Sequence, residues 1–78
     1  MILIGDIGNT QSKFAYYNKG SNKIFKLKNF NTSDIEKNKD FTKFINNTKF
    51  TNAVIASVVP KVFLKIKSVL KKKKYRML

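Results

Sequence analysis

The sequence predicts a single α/β unit, and three observations carry the prediction. Compact apolar runs open the chain and recur at residue 52, two stretches between them alternate with period two, and two later segments repeat apolar residues at spacings of three and four. The element order is therefore β, β, β, α, β, α, with the beginning of a further strand at residues 75–78. At 78 residues the chain holds at most one domain, and a chain of that size buries only roughly 60% of the surface its unfolded form exposes.

Residues 1–7, MILIGDI, form a nearly continuous apolar run with one acid and read as a central strand buried on both faces. Gly8, Asn9 and Thr10 are turn chemistry, since glycine reaches dihedrals closed to other residues and asparagine tolerates the left-handed region. Residues 12–17, SKFAYY, alternate, placing Phe14 and Tyr16 on one face and Lys13, Ala15 and Tyr17 on the other. A second turn cluster at residues 18–22 leads into residues 23–28, where Phe25 and Leu27 are expected to face together. These three strands form a meander.

Residues 29–32 read as polar linker. Ser33, Asp34, Ile35 and Glu36 then have the spacing of a capping box, and Ile35, Phe41, Phe44 and Ile45 fall on one stripe of a helix ending near Asn46 and Asn47. Residues 52–59, NAVIASVV, are a β-branched run expected to be buried and to lie parallel to the first strand. Pro60 suits the first turn of a second helix, whose stripe is Val62, Phe63, Ile66, Val69 and Leu70. The lysines at 71–74 end it with the charge that the carboxyl end of a helix dipole favours.

Composition removes several chemistries. There is no cysteine and no histidine, so a disulfide framework, a zinc ribbon, a thiol nucleophile and an imidazole base are all excluded. The formal charge of +13 suits an anionic partner such as nucleic acid. However, Lys, Asn, Ile, Phe and Tyr supply more than half of the chain, and they are the residues whose codons are richest in A and T. The bias runs through turns, helices and loops alike, as coding composition requires and a selected patch does not. No apolar run approaches the roughly 18 residues of a membrane span, and the apolar start is too brief for a signal-peptide core, so a cytoplasmic protein is expected.

The chemistry concentrates in Asp6, Ile7, Gly8, Asn9, Thr10, Gln11, Ser12 and Lys13, an acid at the end of a strand, a tight polar turn and an early lysine in the next strand. Backbone amides of such a turn can converge on an anion, Gly8 has no Cβ to obstruct it, Asn9 and Thr10 add donors, and Lys13 supplies a point charge. Asp6 repels phosphate unless a divalent cation lies between them, which makes it the candidate metal residue. A Gly-Asn turn is also a common hairpin signal. A carboxylate within an apolar strand is what favours function, because burying an unpaired charge is costly. In ASVVP, Val58, Val59 and Pro60 read most simply as core strand and helix start, and Ser57 is the one residue there able to face a cleft.

The segment DIGNTQSK, preceded by an apolar strand and followed by FAYY, resembles the first phosphate motif of type III pantothenate kinases, and ASVVP at residues 56–60 matches a second pattern of that family. The resemblance implies a ribonuclease H-like fold of the actin, Hsp70 and sugar kinase superfamily, and ATP-dependent phosphorylation of pantothenate, the entry step to coenzyme A. It places ATP phosphates against residues 6–13, with Asp6 near the metal. It also implies magnesium, a monovalent cation (potassium or ammonium) and a homodimer. The family's general base and pantothenate contacts sit in a later Gly-x-Asp-Arg segment, which these residues do not contain. The expectation is the first part of one kinase domain, inactive alone, with an unpaired sheet edge prone to association. Two other readings stand beside it: a small basic nucleic-acid-binding module, supported by charge alone, and a non-catalytic regulator on the kinase scaffold.

Overall fold

Alternating side chains and short turns make the first half of the chain a meander. In the computed structural model, which describes residues 1–71 and the backbone of residues 76 and 77, β1 (Ile2–Ile7), β2 (Gln11–Asn18) and β3 (Lys23–Asn31) pair antiparallel in sequence order. A 3-10 turn (Ile35–Lys37) and helix α1 (Lys39–Asn46) lead to β4 (Asn52–Ser57), helix α2 (Pro60–Leu70) and the two-residue β5 (Arg76–Met77). The sheet order is β3-β2-β1-β4-β5, with β4 parallel to β1 and β5 parallel to β4. The chain is thus an α/β unit with the expected parallel return at Asn52. The lysines at 72–74 of the basic run, and residues 75 and 78 of the expected last strand, lie outside the described residues.

Both helices cover the same face of the sheet. Leu3 and Ile7 of β1 and Phe14 and Tyr16 of β2 form one buried cluster with Phe41, Phe44 and Ile45 of α1 and Ile66 and Leu70 of α2. Its centre is aromatic: Phe14 meets Phe41 edge-on with ring centroids 5.0 Å apart, and Tyr16 stacks on Phe44 at 5.1 Å. The Tyr16 hydroxyl donates to the Phe44 carbonyl at 2.8 Å, so the ring packs while its polar tip satisfies a carbonyl at the end of α1. Burial pushes this phenol up to about 12.

Four local expectations are corrected. First, β1 and β4 are not buried on both faces. Ile2 and Ile4 on the far side of β1 are only half-buried, and Val54 of β4 is 42% exposed, because both helices lie on the other side. Second, Phe25 and Leu27 face opposite ways. Lys26 adopts a left-handed φ of 56°, and the β2–β3 register shifts between Phe14 and Tyr16, so one extra residue breaks the period of two. Phe25 packs against the core, and Leu27 is left 69% exposed. Third, most of the supposed linker at residues 29–32 is strand: β3 runs to Asn31, and Phe30 is buried and edge-on to Phe41 at 5.3 Å. Fourth, no capping box forms at Ser33. Asp34 turns left-handed at φ 53°, and Asn38 caps α1 instead, accepting from the Asp40 and Phe41 amides at 2.8 and 3.2 Å.

Candidate functional site

The three-residue turn between β1 and β2 sits where the carboxyl ends of β1 and β4 meet, because Ile7 pairs with Ser12 on one side and with Ser57 on the other. In open sheets with parallel strands, that end is where ligands are held. The Gly8 amide donates to the Gln11 carbonyl at 3.0 Å and closes the hairpin. Gly8 does not supply the unusual dihedral expected of it, for no glycine among the described residues has a positive φ, and Asn9 is not left-handed either. What the position needs is the missing side chain, since a Cβ there would lie 2.8 Å from the Gln11 carbonyl oxygen.

The carbonyls on either side of Asn9 are engaged. The Ile7 carbonyl accepts from the Val58 amide at 3.1 Å, and the Thr10 carbonyl from the Thr32 amide at 2.9 Å. The Gly8 carbonyl accepts from the Thr32 hydroxyl at 2.7 Å. Thr32 Oγ1 is also 2.7 Å from Ser12 Oγ. A threonine hydroxyl has one proton, and the carbonyl can only accept, so the chain runs from Ser12 O–H to Thr32 O–H to Gly8 C=O. The Asn9 and Thr10 amides, by contrast, have no hydrogen-bond partner among the described residues. With the Gly8 and Thr10 carbonyls taken up and two donors free, the turn offers an anion hydrogen bonds and reduced repulsion.

Residues 6–13 divide into two sets. Asp6, Asn9, Thr10, Gln11 and Lys13 are exposed, and Gly8 is half-buried. Ile7 and Ser12 are fully buried, so their side chains hold the turn to the core instead of meeting solvent. Gln11 donates to Asn31 Oδ1 at 2.7 Å, which ties the start of β2 to the end of β3. The Ser57 hydroxyl is taken up locally, accepting from the Val59 amide at 3.0 Å and donating to the Val59 carbonyl at 3.1 Å.

Asp6 stands directly across from Lys13, and both lie on the sheet face away from the helices, beside Ala56 of β4. Among the described residues the Asp6 carboxylate makes no hydrogen bond or ion pair. Its burial, part of the argument from sequence, is not present: the far face is open, and the carboxylate reaches solvent. Asp6 and Lys13 border a shallow groove of about 180 Å³ whose apolar lining includes Ile4, Ala15 and Leu27. No three acids, histidines or cysteines cluster among the described residues, so nothing there forms a cage for a metal. One accessible carboxylate beside free amides still fits magnesium, which keeps much of its water and is commonly held by one or two carboxylates together with substrate phosphates.

Thr32 is the residue that sequence reasoning missed. It fell in the supposed linker, yet Phe30 and Thr32 continue the period of two on the core side and are both buried. That alternation was the available signal.

Among the described residues no helix is long and apolar enough to cross a membrane, which leaves β-barrel insertion unaddressed. No curated protein and no solved structure matches the chain. The family model for type III pantothenate kinase matches residues 2–77, nearly the whole length. With a donor-rich turn at the parallel end of its sheet and that match along its length, the chain belongs to the type III pantothenate kinase family.

Proposed function

We propose that this chain supplies the phosphate-binding part of an enzyme that phosphorylates pantothenate with ATP, the first step toward coenzyme A. The observation that carries the reading is the pairing of two unpartnered amides, Asn9 and Thr10, with an accessible, unpaired Asp6 at the same end of β1. The amides and the Asn9 and Thr10 side chains hold the phosphates, and Lys13 adds positive charge from the neighbouring strand. Asp6 would hold magnesium through its water, and the ion when bound offsets phosphate charge. The sheet order β3-β2-β1-β4-β5 supports a ribonuclease H-like arrangement for the unit.

In the reaction, the pantothenate hydroxyl oxygen bonds to the γ-phosphorus as the bond to the ADP oxygen breaks, and the hydroxyl proton leaves to a base. Positioning and charge stabilisation dominate such transfers. These 78 residues contain no Gly-x-Asp-Arg segment, and their three other acids, Asp34, Glu36 and Asp40, belong to the helical layer. The polypeptide alone should therefore bind Mg·ATP yet release no ADP in response to pantothenate. A homodimer, a monovalent cation and a cytoplasmic location extend the proposal on family likeness alone. Equilibrium dialysis with Mg·ATP tests it: Asp6→Asn should weaken binding about tenfold, on the scale of one charge-assisted contact, and remove the dependence on magnesium. Equal binding by the two proteins would refute the reading.

A further inference from the structure

We infer that Thr32 is the positioning residue of the phosphate turn, a role that rests on the nucleotide reading above. Three contacts converge on this one buried side chain and its backbone. The Thr32 amide holds the Thr10 carbonyl at 2.9 Å, and the hydroxyl holds the Gly8 carbonyl at 2.7 Å. The same oxygen accepts from Ser12, 2.7 Å away and also fully buried. Thr32 thus grips the turn on both sides of Asn9. A peptide plane whose carbonyl is fixed has a fixed N–H as well, because the two lie in one rigid unit. The Gly8 carbonyl shares its plane with the Asn9 amide, one of the two unpartnered donors. The Thr32 hydroxyl therefore sets the direction of a donor it never touches.

The other free donor is coupled less directly. The Thr10 carbonyl shares its plane with the Gln11 amide, so the Thr32 amide anchors the exit of the turn, and the Thr10 N–H is confined between two held planes. Pre-set donors need no reordering when an anion arrives, and ordering cost is a large part of what weakens binding by flexible loops. The hydroxyl also draws the Gly8 carbonyl into a hydrogen bond, which lessens the repulsion an anion would meet. Thr32 comes just after β3, on the far side of β2 from β1, so the third strand helps shape a turn that belongs to the first two.

Two substitutions separate the hydroxyl from the bulk of the side chain. Thr32→Val keeps the shape and the amide but removes the hydroxyl, whereas Thr32→Ser keeps the hydroxyl. Mg·ATP binding and backbone amide spectra are compared for the full chain, both variants and Ile45→Val, a core change that lowers the melting temperature without touching the turn. Thr32→Val should raise the Kd for Mg·ATP at least fivefold and displace the Asn9 amide resonance in the absence of nucleotide. Thr32→Ser should restore both, and Ile45→Val should alter neither. Equal weakening by Thr32→Val and Ile45→Val, or unchanged Kd and resonance in Thr32→Val, overturns the inference. If Thr32→Val does not fold, hydrogen exchange in the unsubstituted chain decides: the Thr32 amide should be protected at least a hundredfold more than Asn9, and equal protection overturns the inference. Should the unsubstituted chain fail to bind Mg·ATP while Thr32→Val still displaces Asn9, the nucleotide reading falls and the shaping of the turn by Thr32 stands.

Discussion

Asp6 is available to a ligand because of where it stands in the strand. The period of two puts Leu3 and Ile7 under the helices and Asp6 on the open face, across from Lys13 and unpaired among the described residues. Gly8 makes the complementary point, since its lack of a side chain admits the Gln11 carbonyl, and its dihedrals are ordinary. Gly8→Ala should accordingly lower stability by about 1–3 kcal/mol through forced overpacking at the turn, read as a lower urea midpoint with an unchanged slope. A substitution that leaves the midpoint in place would contradict that. Tyr16 yields a pH-dependent test. Its folded phenol, pushed up to about 12 by burial, keeps its proton where the unfolded tyrosine has lost it. The native state then binds more protons than the unfolded one, so stability is complete below pH 10 and falls as pH rises toward about 12. The difference in unfolding free energy between the unsubstituted chain and Tyr16→Phe should shrink across that window, whereas a constant difference would remove burial as the cause. Comparing the two proteins cancels the lysines, which titrate in the same range.

At the scale of elements, the order and nearly all the strand and helix assignments were legible in the sequence, because they follow from periodicity and from Gly, Asn and Pro at the breaks. Pro60 does open α2, and Ile66 and Leu70 do lie against the sheet. The misreadings in β3 go with contacts distant in sequence, and the misplaced helix start goes with local backbone conformation. Phe30 is drawn into the core by Phe41, which keeps β3 extended through residues that looked like linker. Lys26 spends a left-handed residue to shift the register, and its amine reaches Thr48 at 2.8 Å. The helix start moves from Ser33 to Asn38 because Asp34 turns left-handed and the Ile35–Lys37 stretch closes as a 3-10 turn. Two substitutions test that assignment. Asn38→Ala should cost about 1 kcal/mol of stability as the cap to Asp40 and Phe41 is lost, while Ser33→Ala, at an exposed site, should stay within about 0.5 kcal/mol. Chemical denaturation reads both, and the reverse ranking would reinstate the capping box.

For the whole molecule, the sheet has one finished face and one open face. The open face carries Ile24 and Leu27, 60% and 69% exposed, beside the groove that Asp6 and Lys13 border. The motif was legible because turn residues, an acid and a lysine fall within eight positions; the openness of that face was not, because an apolar run gives no hint of how many of its faces are covered. The formal charge of +13 acts over the entire surface and attracts any polyanion, so binding alone does not establish a site. Location and ion dependence do. The decisive measurement is a titration of the full chain with Mg·ATP at moderate salt, followed residue by residue through backbone amide resonances. The account predicts saturable shifts centred on Gly8, Asn9 and Thr10 that require magnesium and persist as salt is raised. Shifts spread over the lysines of α1 and α2, indifferent to magnesium and erased by salt, would contradict it.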